Sequence, residues 1–391
     1  MKGTPAPATR ETLYRASLST LVPARFLSRP NRFKVVGETA FGTVEAYLPN
    51  PGRLWELLLP EARMLLERSA QREGRSTGYT VIAVETSQGP VVMLHTHRTN
   101  DAAGWLLDRG MIPGWENARV VRREVAFGGS RFDFLLEGPA GTFPVEVKSC
   151  TLFGERMAMF PDAPSERAAR HVSHLAELAK NGPRPGVLFL VHSLGPKYFL
   201  PDLHTDLGFA LALLEARESV DIKPVGIGWN SDLTLEPRAS LLEIPWRVLE
   251  ENAFDRGGYI LVLELEENLR LAVGKLGEID LKAGYYCYIG SAMKGLTARM
   301  ERHQRRRKNL HWHVDYLREV SRFVVCLPVR TSVPVECDMA HSLEGIADEQ
   351  VTGFGCSDCL CRSHLFRFAS NPLGSEPFIK TLLRFRIDRL V

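Results

Sequence analysis

The stretch SRFDFLLEGPAGTFPVEVKS, residues 130–149, contains two apolar runs joined by the turn-forming segment GPAGT. Runs of this length on both sides of a short Gly- and Pro-containing loop predict a β-hairpin. Each run also carries charge in its middle, with Asp133 in the first strand and Glu146 and Lys148 in the second. Charged residues are rarely buried unless they are paired, so these three indicate a functional site.

The hairpin predicts a metal site. Its turn can bring Asp133 and Glu146 side by side, and two neighbouring carboxylates repel each other unless a cation lies between them. Mg²⁺ (or Mn²⁺) suits this place, since Mg²⁺ takes one or two carboxylates together with water and phosphate oxygens. Lys148 faces the same side of the strand as Glu146 and can offset charge that develops on a phosphate under metal-assisted attack. The alternative is a solvated strand face, because E-x-K also arises from composition alone.

The segments around the hairpin predict an α/β or α+β domain with a mixed sheet. RVVRREVAF is predicted to be a strand, and Asn100 is predicted to cap a short helix that runs through Gly110. After the hairpin come the helix ERAARHVSHLAELAKNG, ending on Gly182, the strand GVLFLVH, the helix DLGFALALLEARE and the strand IKPVGIGW. A hairpin followed by alternating helices and strands favours a mixed sheet.

The helix that follows the hairpin has a basic side opposite its apolar side. That side predicts contacts to nucleic acid and contains Arg167, Arg170, His171 and His174.

The segment from about Phe33 to Thr96 is predicted to be β-rich, with the strands FKVV, GTVEAYL, YTVIAVET and VVMLHTH, the last two joined by SQGP. Between them, PNPGRL predicts a tight bend that displays Asn50 and Arg53. The bend is either an ordinary loop or a contact to phosphates or bases.

The composition is that of a globular protein with several domains. The chain has 391 residues, which is too long for one ordinary hydrophobic core. Hydrophobic residues make up 45% and charged residues 24%, as in ordinary globular proteins. A net charge of only +3 means that nucleic acid must be bound by local basic faces. Apolar runs are too short for a membrane span, and the first 20 residues lack the apolar centre of a signal peptide. We therefore expect a cytoplasmic protein without a membrane partner, with domains at 1–96, 97–250 and 251–391.

Four segments occur in the chain order PNPGRL, SRFDFLLE, VEVKSCTL and FPDAPSERAARH. Together they resemble the SfsA family, also called the sugar fermentation stimulation protein family, over roughly residues 20–245. The resemblance implies an N-terminal OB-like DNA-binding β-barrel followed by a nuclease-like domain of the PD-(D/E)xK type. It places Asp133, Glu146 and Lys148 at the metal and catalytic positions, with Glu124 as a weaker acidic candidate. It also implies an alternative, a non-catalytic DNA-binding regulator of sugar-utilisation genes.

The segment YYCYIGSAMKGLTARMERHQRRRKN, residues 285–309, predicts a basic helix. Its residues at i, i+3, i+4 and i+7 are Arg299, Arg302, His303 and Arg306. This spacing puts them on one face, which suits a phosphate backbone, although most basic runs are solvated surface.

GGY at 257–259 and YIG at 288–290 resemble the GIY-YIG nuclease superfamily over about residues 255–370. The resemblance implies a small α/β domain, a sheet flanked by helices. It also implies that Tyr259 and Tyr288 orient the attacking water, that Arg299 stabilises the phosphoryl transition state and that Glu336 holds Mg²⁺.

The segment CSDCLCRSH is a candidate zinc site. Cys356, Cys359, Cys361 and His364 can surround a tetrahedral Zn²⁺, and packed or redox-reactive thiols are the alternative. Upstream, the segment HWHVDYL places His311, His313 and Asp315 at alternate positions. These residues are candidates for phosphate binding or proton transfer, and a structural role is the alternative.

Together these patterns favour a Mg²⁺-dependent nuclease with two nuclease-type modules, acting on DNA or RNA. The rival hypothesis is the DNA-binding transcriptional regulator that keeps nuclease folds as docking surfaces.

Overall fold

The first part of the fold is an OB-like barrel. The computed structural model describes residues 13–16, 20–69, 77–86, 91–306 and 309–390. The first strands are β1 (Leu21–Asn31), β2 (Lys34–Thr39), β3 (Gly42–Tyr47), β4 (Arg63–Arg68), β5 (Tyr79–Glu85) and β6 (Val91–Met93). Their order is β3-β2-β1-β4-β5-β6, and an extra pairing of β3 with β5 closes β1–β5 into a barrel. The predicted SQGP turn lies outside the described residues, but β5 and β6 do pair antiparallel.

The middle of the chain forms the predicted mixed sheet. Its strands are β7 (Arg119–Phe127), β8 (Ser130–Gly138), β9 (Gly141–Cys150), β12 (Gly186–Val191), β14 (Asp221–Trp229) and β15 (Leu235–Leu241), in the order β15-β14-β12-β9-β8-β7. β7, β8 and β9 pair antiparallel, whereas β9, β12 and β14 pair parallel. A small second sheet consists of β10 (Leu152–Phe153), β11 (Met157–Phe160) and β13 (Tyr198–Pro201). The mixed α+β class is thereby confirmed.

The helices of this region are α1 (Thr96–Asp108), α2 (Glu166–Leu178), α3 (Leu207–Ala216) and α4 (Trp246–Asn252). A 3-10 turn at Ala179–Asn181 extends α2 to Gly182, close to its predicted end. The prediction that Asn100 caps α1 is wrong, because the cap is His95 and Asn100 lies inside the helix. Its side chain is turned toward the hairpin instead, where it donates to Asp133.

The C-terminal region is a second α/β unit. Its strands are β16 (Gly257–Leu265), β17 (Leu269–Val273), β18 (Gly277–Leu281), β19 (Gly284–Ala292), β20 (Arg322–Arg330), β21 (Glu349–Gln350) and β22 (Leu365–Phe368). Its helices are α5 (Leu296–Gln304), α6 (His313–Val320), α7 (Glu336–Glu344) and α8 (Glu376–Arg386). The main sheet has the order β20-β16-β19-β22-β21, and the hairpin β17–β18 fills the long interval between GGY and YIG.

A buried histidine joins the middle and C-terminal regions. His204 donates from Nε2 to the carbonyl oxygen of Arg386 at 2.7 Å and accepts at Nδ1 from the backbone amide of Arg330 at 2.8 Å. Burial, together with the nearby Arg386 charge, lowers its pKa to about 3. The ring is therefore neutral at pH 7, as one donating and one accepting nitrogen require.

We expect His204→Leu to lower the free energy of unfolding by about 2–4 kcal/mol, because it leaves a buried carbonyl and a buried amide without partners. Urea unfolding followed by circular dichroism measures this loss. The matched control is His341→Leu, since His341 is exposed on α7; we expect a change of less than about 0.5 kcal/mol there. Equal losses of unfolding free energy in the two variants would contradict the role of His204 in joining the middle and C-terminal regions.

Candidate functional sites

The hairpin β8–β9 separates at Asp133. The backbone ladder between these strands runs from Gly138↔Gly141 to Phe134↔Val145. Beyond the last of these pairs, the Val147 amide donates to Oδ2 of Asp133 at 2.8 Å, and Asn100 of α1 donates to Oδ1 at 2.7 Å. A side chain thus takes the place of a backbone acceptor, which fixes the carboxylate at the position where the strands part.

Glu146 lies next to this carboxylate and is buried. Its Oε1 accepts from Lys148 Nζ at 2.5 Å and from His171 Nδ1 at 2.8 Å. Its Oε2 is also buried and has no hydrogen-bond partner among the described residues. One oxygen is therefore held in place by two hydrogen bonds, while the other has none from the described residues.

The two carboxylates have opposite pKa shifts. Burial, reinforced by the charge of Glu146, raises the pKa of Asp133 to about 6. Burial would also raise the pKa of Glu146, but the hydrogen bonds from His171 and Lys148 outweigh it and lower that pKa. Pairs of groups whose pKa values are pushed apart are typical of catalytic and metal sites.

The position of His171 corrects one prediction. The sequence places it on the exposed basic side of α2, but the structure buries it against Glu146, 6% exposed. Arg167 and Arg170 are exposed as predicted, and Arg167 Nε approaches His171 Nε2 at 3.4 Å. The Arg167 N–H donates to Nε2, so the histidine is assigned the Nδ1–H form that donates to Glu146.

Asn100 and His171 contact the two carboxylates, and the sequence did not predict this role for either residue. Both lie on helices far from the hairpin in the chain, and no spacing rule relates them to Asp133 or Glu146. Glu124, the extra acidic candidate, instead pairs with Arg131 at 2.6 Å. Its backbone has a φ of 56°, in the left-handed region, and its side chain is exposed.

The PNPGRL bend is built differently from its prediction. Asn50 is not displayed but buried, donating to the Leu94 carbonyl at 3.2 Å and accepting from the Gly52 amide at 2.9 Å. Arg53 does line an open cavity of about 410 Å³, together with Arg29, Arg32 and Trp55. Asn50 therefore shapes the loop, and Arg53 remains the candidate contact to nucleic acid.

The GGY and YIG segments lie side by side on β16 and β19, with Tyr259 opposite Gly290. A Cβ at Gly290 would collide with the Tyr259 hydroxyl, which explains the glycine. Tyr259 and Tyr288 are both buried, with ring centroids 6.4 Å apart. Burial raises the pKa of both tyrosines above the ordinary value, so they are neutral hydroxyls at pH 7.

The predicted single basic face of α5 is wrong. His303 is fully buried, and its Nε2 is hydrogen-bonded to the Tyr259 hydroxyl at 2.8 Å. Arg302 makes a bidentate pair with buried Asp315 at 2.8 and 2.9 Å. Arg306 lies beyond the end of the helix and donates to the Glu319 carbonyl.

Arg299 is the arginine of this set whose charge acts on both tyrosines. Its guanidinium stacks over Trp312 at 4.0 Å, and its charge acts to lower the pKa values of Tyr259, Tyr288 and Glu336. The upstream HWHVDYL segment is not extended, since α6 begins at His313, and Asp315 caps that helix by accepting from the amides of His311 and Trp312.

Glu336 begins α7 and faces two partners. His364 Nδ1 lies 3.2 Å from its Oε1, and the Ser291 hydroxyl donates to its Oε2. Burial raises the pKa of Glu336, but these two hydrogen bonds outweigh it and lower that pKa.

The cysteine cluster differs from its prediction in one member. Ligand atoms of Cys337, Cys359, Cys361 and His364 all lie within 4.8 Å of one another. Cys356, the predicted fourth ligand, is not part of this set, and Cys337 of α7 takes its place. These four residues are called the Cys/His cluster below. Cys337 lies 19 positions before Cys356, the first residue of the CSDCLCRSH segment, so the spacing within that segment could not identify Cys337 as a ligand.

Comparisons with known proteins match all three regions. The family described as SfsA N-terminal OB domain matches residues 27–94, the one described as Sugar fermentation stimulation protein RE domain matches 97–232, and Domain of unknown function DUF123 matches 258–384. Sugar fermentation stimulation protein homologs of Chloroflexus aurantiacus and Methanothermobacter thermautotrophicus are 39% and 37% identical to this chain. The matches cover 52% and 50% of this chain and 77% and 80% of those proteins.

A solved structure shares the fold of the first two regions. The structure of Pyrococcus furiosus SfsA in complex with Ca²⁺ has 30% sequence identity and a TM-score of 0.54, and the match covers 59% of this chain and 99% of that one. The fold thus defines a multidomain α+β protein in which an OB-like barrel precedes mixed-sheet α/β domains. The chain belongs to the sugar fermentation stimulation protein (SfsA) family. It also carries a C-terminal DUF123 domain, which belongs to the GIY-YIG-like nuclease superfamily.

None of the helices in the described ranges combines the length and the apolar composition that crossing a lipid bilayer requires.

In metal-free protein, we expect the wild type to lose stability relative to Asp133→Asn as pH rises. A carboxyl whose pKa is raised in the folded state stabilises that state below its unfolded pKa, about 3.9, and this contribution is lost as pH rises to about 6. The difference in the free energy of unfolding between the wild type and Asp133→Asn should change by about 2–3 kcal/mol across that pH window.

Urea unfolding in EDTA at several pH values measures this difference. Asp232→Asn is the control, because hydrogen bonds from Thr234 lower the pKa of Asp232 and the pH trend should have the opposite sign. A difference for Asp133→Asn that does not vary with pH would contradict the raised pKa.

Proposed function

We propose that the protein is a Mg²⁺- or Mn²⁺-dependent nuclease that hydrolyses phosphodiester bonds of DNA or RNA at Asp133, Glu146 and Lys148. The observation that supports this most directly is Oε2 of Glu146, a buried carboxylate oxygen without a hydrogen-bond partner among the described residues. Leaving such an oxygen unpaired is costly. A divalent cation between Asp133 and Glu146 would satisfy it and relieve the repulsion between the two carboxylates.

Each side chain has a distinct role in this proposal. Asp133 and Glu146 would hold the cation, which supplies an activated water and polarises the phosphate. Asn100 and the Val147 amide keep Asp133 in position, and His171 does the same for Glu146. Lys148 Nζ, now paired with Glu146, lies where it can stabilise negative charge on the phosphate oxygens.

The related Pyrococcus furiosus protein supports a divalent cation, because its structure is a complex with Ca²⁺. Ca²⁺ and Mg²⁺ both bind carboxylate oxygens and differ in size and coordination number. A zinc ion in the Cys/His cluster would be structural and would take no part in cleavage at Asp133.

The substrate would lie across the exposed basic side of α2. Arg167 and Arg170 are solvent-accessible beside the buried His171, so phosphates near them would be close to Glu146. Arg53 lines the cavity beside the barrel and is the further proposed contact, in keeping with the DNA-binding role that the family resemblance implies for the barrel.

The C-terminal domain is the proposed second phosphodiesterase-type module, with Tyr259, Tyr288, Arg299 and Glu336 as its catalytic set. Its support is the pairing of GGY with YIG on adjacent strands and the nearby Arg299 charge. Both oxygens of Glu336 already have protein partners, so a Mg²⁺ there would have to share the carboxylate with Ser291 or His364.

A DNA-binding regulator of sugar-utilisation genes is the second candidate function, favoured by the name that the family carries. Both functions place the protein in the cytoplasm. All seven cysteines lie among the described residues and none forms a disulfide, which suits a reducing compartment.

The decisive experiment is cleavage of labelled single- and double-stranded DNA and RNA by purified protein with Mg²⁺ or Mn²⁺ and with EDTA. We expect metal-dependent cleavage. In protein whose second module is disabled by Arg299→Ala, we expect Glu146→Gln to lower cleavage by at least about 100-fold, because that variant removes a metal-binding charge. Glu137→Gln is the control, since Glu137 belongs to the same hairpin but is half-exposed and paired with Arg119; we expect normal activity.

Combining Glu146→Gln with Arg299→Ala separates the two modules. Activity that survives in either single variant and disappears in the double variant would assign cleavage to both. If the wild-type protein binds these substrates and cuts none of them, the nuclease proposal fails and the regulator takes its place.

Substrate binding should also depend on salt through α2. For duplex DNA, each phosphate contact adds about 0.9 to the slope of log K against log salt. We expect the double variant Arg167→Gln, Arg170→Gln to flatten this slope by about 2 in fluorescence anisotropy titrations. Arg247→Gln on α4, also exposed, should leave it unchanged, and an unaltered slope in the double variant would exclude α2 as a phosphate contact.

A further inference from the structure

Three thiols and an imidazole converge in the C-terminal domain. Cys337 comes from the first turn of α7, whereas Cys359, Cys361 and His364 come from the loop between β21 and β22. Their four ligand atoms lie within 4.8 Å of one another. In a tetrahedral zinc site with Zn–S distances of about 2.3 Å, sulfur atoms are about 3.8 Å apart. A small inward movement of side chains would therefore bring all four into contact with one ion.

The loop is shaped to present both of its cluster thiols on one side. Cys359 and Cys361 belong to the cluster, and Leu360 between them is completely exposed. Because Leu360 gains nothing from burial, its packing does not account for the convergence of the two sulfur atoms.

The histidine of the cluster is held from behind by a carboxylate. His364 is 2% exposed, and its backbone is fixed by hydrogen bonds to Phe354 and Ile289. Its Nδ1 lies 3.2 Å from Glu336 Oε1, while its Nε2 lies 3.5 Å from Cys359 Sγ. Histidines that bind metal commonly donate their other N–H to a carboxylate, which fixes the tautomer and the ring orientation. Here Nδ1 would donate to Glu336 and Nε2 would be free to bind the ion.

We propose that Cys337, Cys359, Cys361 and His364 bind one structural zinc ion, and that Glu336 positions the histidine ligand. The ion ties the start of α7 to the loop before β22. Three sulfur ligands and one imidazole nitrogen in a tetrahedral arrangement select zinc over Mg²⁺ or Ca²⁺, which prefer oxygen ligands. The proposal does not depend on nuclease activity, because it concerns metal content.

Metal analysis of the full-length protein tests this directly. Protein expressed with added zinc and passed through a desalting column should contain about one zinc per chain by mass spectrometry of the elements. Cys337→Ser should lose this zinc, whereas Cys356→Ser should retain it, because Cys356 is outside the cluster. Retention in Cys337→Ser together with loss in Cys356→Ser would overturn the ligand set.

Cobalt substitution and thiol labelling guard against misfolded variants. Wild-type protein loaded with Co²⁺ should show the intense absorption of a thiolate-bound tetrahedral ion. Chelation should make Cys337, Cys359 and Cys361 reactive toward iodoacetamide, while labelling of Cys356 stays the same. Wild-type protein that binds neither Zn²⁺ nor Co²⁺ would overturn the proposal and leave redox-reactive thiols in its place.

The role of Glu336 has its own control in the same turn of α7. Removing a carboxylate behind a histidine ligand weakens metal affinity by about 10–100-fold. We expect this loss in Glu336→Ala by competition with a chromogenic chelator. Asp338→Ala, at an exposed position two residues on, should leave the affinity unchanged, and equal affinities in both variants would remove Glu336 from the site.

Discussion

The hydrogen bond from the Val147 amide to the Asp133 carboxylate is the constraint from which the central site follows. It replaces a backbone hydrogen bond at the point where the β8–β9 ladder ends, so a charged group becomes part of the sheet. Beyond that point β9 continues in parallel contact with β12, which keeps Glu146 and Lys148 in register. The sheet therefore fixes both carboxylates, and the helices on either side need only supply Asn100 and His171.

The hairpin and its charges could be predicted because all of that information is local. Strand alternation relates residues two apart, and a short turn relates neighbouring strands. Asn100, His171 and Cys337 could not be predicted in the same way, because each reaches its site through the packing of a distant helix. For Asn100, the capping propensity of asparagine even pointed to a wrong explanation, since a side chain that points into the site cannot also cap its helix.

The basic helix α5 shows a second limit of sequence patterns. Helical spacing identifies which residues share a side but not whether that side faces solvent. His303 packs inward against Tyr259, and Arg302 neutralises the buried Asp315. A buried charge requires a partner. Arg302 therefore pairs with Asp315 of the neighbouring helix α6 and does not contribute a free positive charge to the surface. Arg299 keeps its charge near the tyrosine pair, and it is the arginine to which the GIY-YIG resemblance assigns a catalytic role.

Both candidate sites contain a histidine hydrogen-bonded to a glutamate, but the two partners have opposite roles in the two sites. In each, a histidine Nδ1 is paired with a glutamate Oε1, His171 with Glu146 and His364 with Glu336. Glu146 keeps a buried oxygen without a partner among the described residues, so in the proposed nuclease the histidine orients the carboxylate toward the cation. Glu336 has its second oxygen satisfied by Ser291, and the Nε2 of His364 faces a cysteine. There the carboxylate orients the histidine, which is why an oxygen-seeking cation fits the first site and a sulfur-seeking one fits the second.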